Sequence, residues 1–170
     1  MLERAEELKP EHLSLVRIRQ SLAFAQRDWQ ELVRALEQEL GLTQDPKELQ
    51  ALLILKAEAE LYGENNLQAS SQDYLQALEV APSQFPVLRS LEQILLATGN
   101  YEAYLKINLA IENLVSPKEN KIFYAWRRAI ISELGLAKPE LAVSAWRDLI
   151  EQEPEFLFPY LCLWRTLREK

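Results

Sequence analysis

One cysteine and one histidine in 170 residues leave little room for metal or nucleophile chemistry. A zinc site draws several Cys or His ligands from set spacings, and Cys162 and His12 cannot supply them. A Ser-His-Asp or Cys-His arrangement would need His12 beside a nucleophile, and Cys162 lies 150 residues away. Glycine is also scarce. The four glycines lie 22 or 36 residues apart, so no glycine-rich loop exists to cradle a phosphate. Long apolar runs are missing: none approaches the roughly 18–20 residues of a membrane helix. The start, MLERAEELKPEH, is charged and lacks the apolar stretch of a secretory signal. With a single cysteine there is no internal disulfide, which fits a reducing compartment and a cytoplasmic expectation. Glutamates are plentiful but scattered, and no catalytic carboxylate pair stands out. The expectation is a non-catalytic protein without cofactor or metal.

The net charge of −7 is uneven. Residues 1–85 carry 8 Lys+Arg against 15 Asp+Glu, and residues 86–170 carry 11 against 11. A pI of about 4.9 argues against nucleic acid, whose binders present a basic face.

What the chain does have is a ladder of breakers. Pro10, Pro46, Pro82, Pro117 and Pro154 are separated by 36, 36, 35 and 37 residues, and Gly63, Gly99 and Gly135 by 36 each. Proline cannot continue a helix and glycine tolerates sharp turns. Breakers at a fixed period of about 20–50 residues mark a stacked-repeat protein. Between the breakers lie helical patterns: Glu11–Gln26 and Trp29–Leu40, Leu49–Tyr62 and Leu67–Val80, Phe85–Ala97 and Tyr101–Val115, Glu119–Leu134 and Glu140–Gln152, then Phe156–Glu169 alone. No alternating β-branched run reads as a strand. Apolar stripes recur at helical spacing: Ile54, Ala57 and Leu61; Leu88, Leu91 and Leu95; Tyr74 and Ala77; Trp146 and Leu149. Such stripes need neighbouring hairpins to cover them, so the units stack.

Three segments, Ala97–Tyr104, Asp73–Pro82 and Ala145–Pro154, resemble the tetratricopeptide repeats. Tyr74, Ala77 and Pro82 meet that family's aromatic, small and proline positions, and Leu67 to Tyr101 spans its usual 34 residues. The resemblance covers nearly the whole chain and implies an all-α solenoid of about four hairpins at 11–45, 46–81, 82–116 and 117–153, with a terminal helix over 156–169. Residues 1–10 resemble the tail of a preceding repeat, so a piece of a longer array and a capped domain both fit. Arg19, Glu39 and Glu133 depart from the pattern, and Pro139 falls inside a turn. The tryptophan-bearing helices around Trp126 and Trp164 are also similar to the half-a-TPR repeats of RNA-processing scaffolds.

In the related proteins the first helix of each repeat lines a concave groove that holds a partner segment. By position, the resemblance implies Ser14, Arg17, Ser21 and Phe24, then Leu52, Leu55, Ala59 and Tyr62. It continues with Arg89, Gln93 and Leu96, then Tyr124, Arg127 and Ile131, and last Phe158, Leu161 and Arg165. Leu52, Leu55 and Tyr62 would anchor apolar side chains of a protein or peptide. Arg17, Arg89, Arg127 and Arg165 form a column suited to acidic ones, because arginine offers a planar fork to carboxylates. The plainer reading pairs these arginines with the local glutamates. Likewise Trp126, Trp146 and Trp164, each followed by arginine, read more simply as core. The expected function is a protein-interaction scaffold or adaptor. An RNA-processing scaffold and a regulatory or assembly module of a larger protein are the alternatives. Self-association through apolar faces is open to such a surface.

Overall fold

The computed structural model describes residues 12–116 and 118–168. The suggested remnant at residues 1–10 lies outside them, as do Pro10 and Pro117 of the proline ladder. Regular structure among the described residues is helical throughout: α1 Leu13–Gln26, α2 Trp29–Leu42, α3 Pro46–Glu58, α4 Leu67–Val80, α5 Phe85–Ala97, α6 Tyr101–Leu114, α7 Lys118–Ile130, α8 Pro139–Gln152 and α9 Leu157–Arg168. Two short π-helical turns, Ala59–Gly63 and Ile131–Gly135, continue α3 and α7. The fold class is the all-α solenoid of helical hairpins. The chain divides into two compact units, Met1–Val87 and Leu88–Lys170, and the dividing point falls within α5.

Four hairpin turns share a left-handed residue, and in three of them a capping side chain follows it; the fourth, at Lys138, makes no side-chain cap. Arg27, Asn65, Gly99 and Ala137 take φ of 57, 55, 70 and 50°. Only Gly99 does so without Cβ strain. Asp28, Asn66 and Asn100 follow, and their side chains accept from the backbone N–H of Glu31, Ala69 and Ala103. This satisfies one otherwise orphaned donor at each helix start, worth about 1 kcal/mol apiece. Asp45 caps α3 in the same way, with Pro46 in the first turn. Pro139, read from sequence as an intruder in a turn, opens α8. Its missing N–H is harmless in a first turn, which has no partner for it.

The turns also correct the period. The left-handed residues are 38, 34 and 38 apart. The 36-residue beat of the sequence is the mean of two alternating lengths, and the structural period is two hairpins, or 72 residues. The long intervals are those that contain a π-helical turn, which adds residues to the end of α3 and of α7. The evenly spaced glycines therefore do different work. Gly99 adopts the left-handed turn conformation, whereas Gly63 and Gly135 end the π-helical turns.

Within the first unit, α1 packs on α2, α2 on α3 and its π-helical turn, and α3 on α4. Ala23, Leu32, Leu36, Leu52 and Ala59 form one core cluster, flanked by Trp29, Val33 and Leu40. Buried Gln50 ties α3 to the end of α4 by donating to the Ala77 carbonyl at 3.1 Å. The α4 stripe is buried at Ser70, Tyr74 and Ala77. On α3, Ala57 is buried, but Leu61 is only half-buried. The wider π-helical turn rotates the stripe there, so Ala59 and Glu60 face inward instead. In the second unit Leu88, Leu91 and Leu95 are buried, as are Tyr104, Asn108 and Ile111 on α6. Ala142, Trp146 and Leu149 of α8 pack with Ala125, Ala129 and Cys162 of the helices on either side. Each fully buried large side chain contributes about 1.5–3 kcal/mol of apolar transfer.

Both π-helical turns meet an aromatic ring from the preceding turn. A Cβ on Gly63 would lie 2.3 Å from the Trp29 ring and 2.8 Å from Trp29 Cβ; one on Gly135 would lie 3.0 Å from the Tyr101 ring. Gly41 has nothing within 4 Å. Gly63→Ala is expected to lose about 1–3 kcal/mol through overpacking against a side chain that is stiff near its Cβ. Gly135→Ala should lose less. Gly41→Ala, inside α2, should gain up to about 1 kcal/mol of helix propensity. Urea denaturation of the three variants checks this order.

Candidate partner-binding surface

In the first unit the inner ends of α1, α2 and α3 enclose an open cavity of about 500 Å³. Its lining is Phe24, Trp29, Leu32, Leu36, Leu55, Ala59 and Tyr62, with Gln20, Ser21 and Glu58 as polar members. Five of these, Ser21, Phe24, Leu55, Ala59 and Tyr62, were anticipated by position. Trp29, Leu32 and Leu36 come from α2, which sequence reasoning treated as a stacking helix, and were missed. The aromatic that opens α2 was their one visible signal. Phe24 and Trp29 meet edge to face at 6.0 Å. Tyr62 and Phe24 are 76% and 64% exposed and Leu55 is 52% exposed, so an incoming group can reach them. Leu52, expected beside them as an anchor, is buried in the core cluster. It faces α1 and α2, one helical turn away from the open side.

The arginine column is held from within. Arg17 donates through Nε to Glu39 at 2.7 Å, and Gln20 donates to the same carboxylate at 2.7 Å. In the second unit Glu92, 1% exposed, is the hub. It pairs with Arg127 at 3.0 Å and with Arg89, and accepts from Tyr104 at 3.4 Å and Asn108 at 3.2 Å. Arg89 also donates to the Tyr124 hydroxyl at 3.0 Å, and the Arg127 guanidinium lies 5.5 Å from the centres of the Tyr104 and Phe123 rings. Burial, outweighing nearby Arg127, pushes the Tyr104 hydroxyl up to about 12. Arg165 donates to Glu133 at 2.9 Å, where Trp146 and Thr166 also donate. Glu39 and Glu133, two departures from the repeat pattern, are thus the acceptors for two of the four arginines. A third departure, Arg19, pairs with Glu31.

Of the remaining expected residues, Gln93 is exposed, while Tyr124 is buried under Arg89. Phe158 is 43% exposed and sits within 6.4 Å of the rings of Trp126, Trp146 and Phe156. The tryptophans separate: Trp146 is core, Trp126 is half-buried against it, and Trp164 is exposed, with Arg168 5.2 Å from its ring centre.

A second charged group lies behind the cavity. Lys56 reaches Asp73 at 3.0 Å, Glu37 at 3.2 Å and Glu60 at 3.5 Å. Glu60 and Asp73 are both buried. Burial and the neighbouring Asp73 raise Glu60 to about 7, against the opposing pull of Lys56. Burial works against the Lys56 charge, but Asp73, Glu60 and Glu37 together hold its pKa above the usual lysine value.

Neither a family model nor a curated protein matches the sequence. Solved structures do. A crystal structure of MamA aligns over 92% of this chain and 81% of its own, with TM-score 0.54 and 9% identity. MamA of Desulfovibrio magneticus RS-1, from residue 41 on, covers 92% and 85% with TM-score 0.52 and 16% identity. PilF of Pseudomonas aeruginosa covers 99% and 72% with TM-score 0.53 and 13% identity. MamA and PilF are tetratricopeptide-containing proteins. The fold is tetratricopeptide-like.

Two outcomes follow for the buried charges. Glu60 binds its proton more tightly folded than unfolded, so its contribution is favourable below the unfolded value of 4.5 and is lost as pH rises through about 7. Lys56 stays charged across this window. Chemical denaturation should therefore show the wild type losing stability as pH rises from about 4.5 to about 7 and little change from this group above that, with Glu60→Gln flattening the slope. Glu92→Leu leaves Arg89 and Arg127 without their carboxylate and should destabilise by about 3–5 kcal/mol, measured the same way.

Proposed function

We propose that the protein is a non-catalytic interaction scaffold whose first unit holds a segment of a partner protein in the cavity of α1, α2 and α3. The observation that carries this is the cavity itself: three large side chains, Phe24, Leu55 and Tyr62, stand exposed around an apolar recess of about 500 Å³. Recesses of roughly 300–1,000 Å³ lined by aromatic and aliphatic groups are the usual form of a binding site. The tetratricopeptide-like fold supports the same reading. The arginines of the column serve the fold first, since each is already paired with a glutamate. Arg→Glu at Arg89 or Arg127 would confront Glu92 with another carboxylate and would report on stability before binding. The surplus positive charge of two arginines sharing Glu92 leaves the second unit suited to an acidic side chain.

The RNA-scaffold alternative draws on the Trp/Arg pairs. With Trp146 buried and Arg127 and Arg165 engaged, Trp164 with Arg168 is its exposed remainder. Self-association would draw on the apolar outer face of α9, where Leu157, Leu161 and Trp164 are each more than 60% exposed. No helix among the described residues is long and apolar enough to cross a membrane. Buried, unpaired Cys162 is compatible with the cytoplasm. A role as an assembly module of a larger protein uses the same surface.

The test is affinity capture with wild type and a Leu55→Arg/Tyr62→Ser variant. Losing central apolar anchors typically costs about 2 kcal/mol or more, which is a drop in affinity of roughly thirtyfold. Recovery of the partner should fall accordingly, with helix content by circular dichroism unchanged. Equal recovery would reject the cavity as the site, and recovery abolished by nuclease would favour RNA.

A further inference from the structure

The two units repeat one another at 72 residues, and the comparison shows what differs at the place of the cavity. Leu32, Leu36 and Leu55 correspond to Tyr104, Asn108 and Arg127, and Gln20 corresponds to Glu92. In the second unit this place is filled. The Arg127 guanidinium lies against the Tyr104 ring and pairs with buried Glu92. In the first unit leucine replaces tyrosine and arginine at Leu32 and Leu55, Leu36 stands in place of a polar asparagine, and the space stands open.

The surroundings of that space select for charge. Phe24, Trp29 and Tyr62 present three aromatic rings, whose electron-rich faces attract cations. Glu58 lines the cavity, is exposed, and makes no ion pair among the described residues. Arg17, the basic residue one turn from Ser21, is neutralised by Glu39. Across the Trp29 wall lies a shallow depression that includes Asp28 and Glu64 against Arg27. Residues 12–87 as a whole carry eleven acidic and six basic side chains.

We infer that the cavity takes a basic, apolar segment of a partner protein, in which a large apolar residue sits beside an arginine or lysine that meets Glu58 and the aromatic walls. The partner supplies from outside what Arg127 supplies from within the second unit. This rests on the scaffold reading above and reverses, for this site, the acidic partner that the arginine column suggests in sequence. Apolar burial provides most of the affinity, and the exposed Glu58 provides selectivity and salt dependence.

The experiment selects random 12-residue peptides displayed on phage against the full chain, with counter-selection on Leu55→Arg. The expected enrichment is for leucine or an aromatic next to arginine or lysine. A peptide so selected, labelled and titrated by fluorescence anisotropy, should bind Glu58→Lys at least tenfold more weakly than wild type, and Tyr62→Ser likewise. Both positions are exposed, so circular dichroism should show these variants folded even if Leu55→Arg is not. Affinity should fall as salt rises. Enrichment of acidic peptides that still need Tyr62 would overturn the charge assignment and leave the scaffold reading standing. Peptides indifferent to Leu55, Glu58 and Tyr62, or no enrichment at all, would overturn both.

Discussion

The contact of Trp29 with Gly63 sets much of the first unit's architecture. A ring occupies the space where any other residue would place its Cβ, so the end of one hairpin's first helix approaches the start of the preceding hairpin's second helix closely. The approach is made by a π-helical turn, whose extra residue redirects the helix end. The same turn carries the inward-facing Ala59 and Glu60, and the same ring forms an aromatic wall of the cavity. Tyr101 and Gly135 repeat the arrangement in the second unit with a looser fit.

Charge is the second organising element, and it works inward. Buried carboxylates are costly unless they are paired and hydrogen-bonded. Here Glu39, Glu92 and Glu133 satisfy that condition by gathering arginines, glutamine, tyrosine, asparagine, tryptophan and threonine. The arginines are therefore fasteners between helices before they are ligands for anything else. The Lys56 group is different in balance. One ammonium serves three carboxylates, two of them buried, so one of them, Glu60, holds its proton near neutrality. Glu60 shares the π-helical turn with two residues of the cavity, Ala59 and Tyr62.

Much of the fold was legible in the residues. Leu67–Val80 and Phe85–Ala97 end where composition and breakers put them, because Asn66 caps one and Gly99 stops the other. The stripes on α4, α6 and α8 were readable because straight α-helices keep a 3.6-residue period. The π-helical turns were not, since a single added residue leaves no compositional mark. With them went the fate of Leu61 and the distinct roles of glycines that look equivalent in sequence. The site was half visible. Position on the first helices located Ser21, Phe24, Leu55, Ala59 and Tyr62, but α2 supplied the floor at Leu32 and Leu36. Leu52 was misplaced by one helical turn, which periodicity alone does not separate on a helix apolar nearly all round.

By itself the sequence determined the class of the molecule. Breaker spacing, helical stripes and caps are local, and they act through backbone geometry and side-chain period whatever the partners in space. The tertiary structure alone decided which charges are spent inside. Arg89 reaches Glu92 three residues along its own helix, but whether Arg127 faces a partner or Glu92 depends on the distance between α5 and α7, and no local rule encodes it. It also decided where space remains. A cavity is the difference between large side chains that meet and smaller ones that do not, so it depends on Leu32 and Leu55 standing where Tyr104 and Arg127 stand in the other unit.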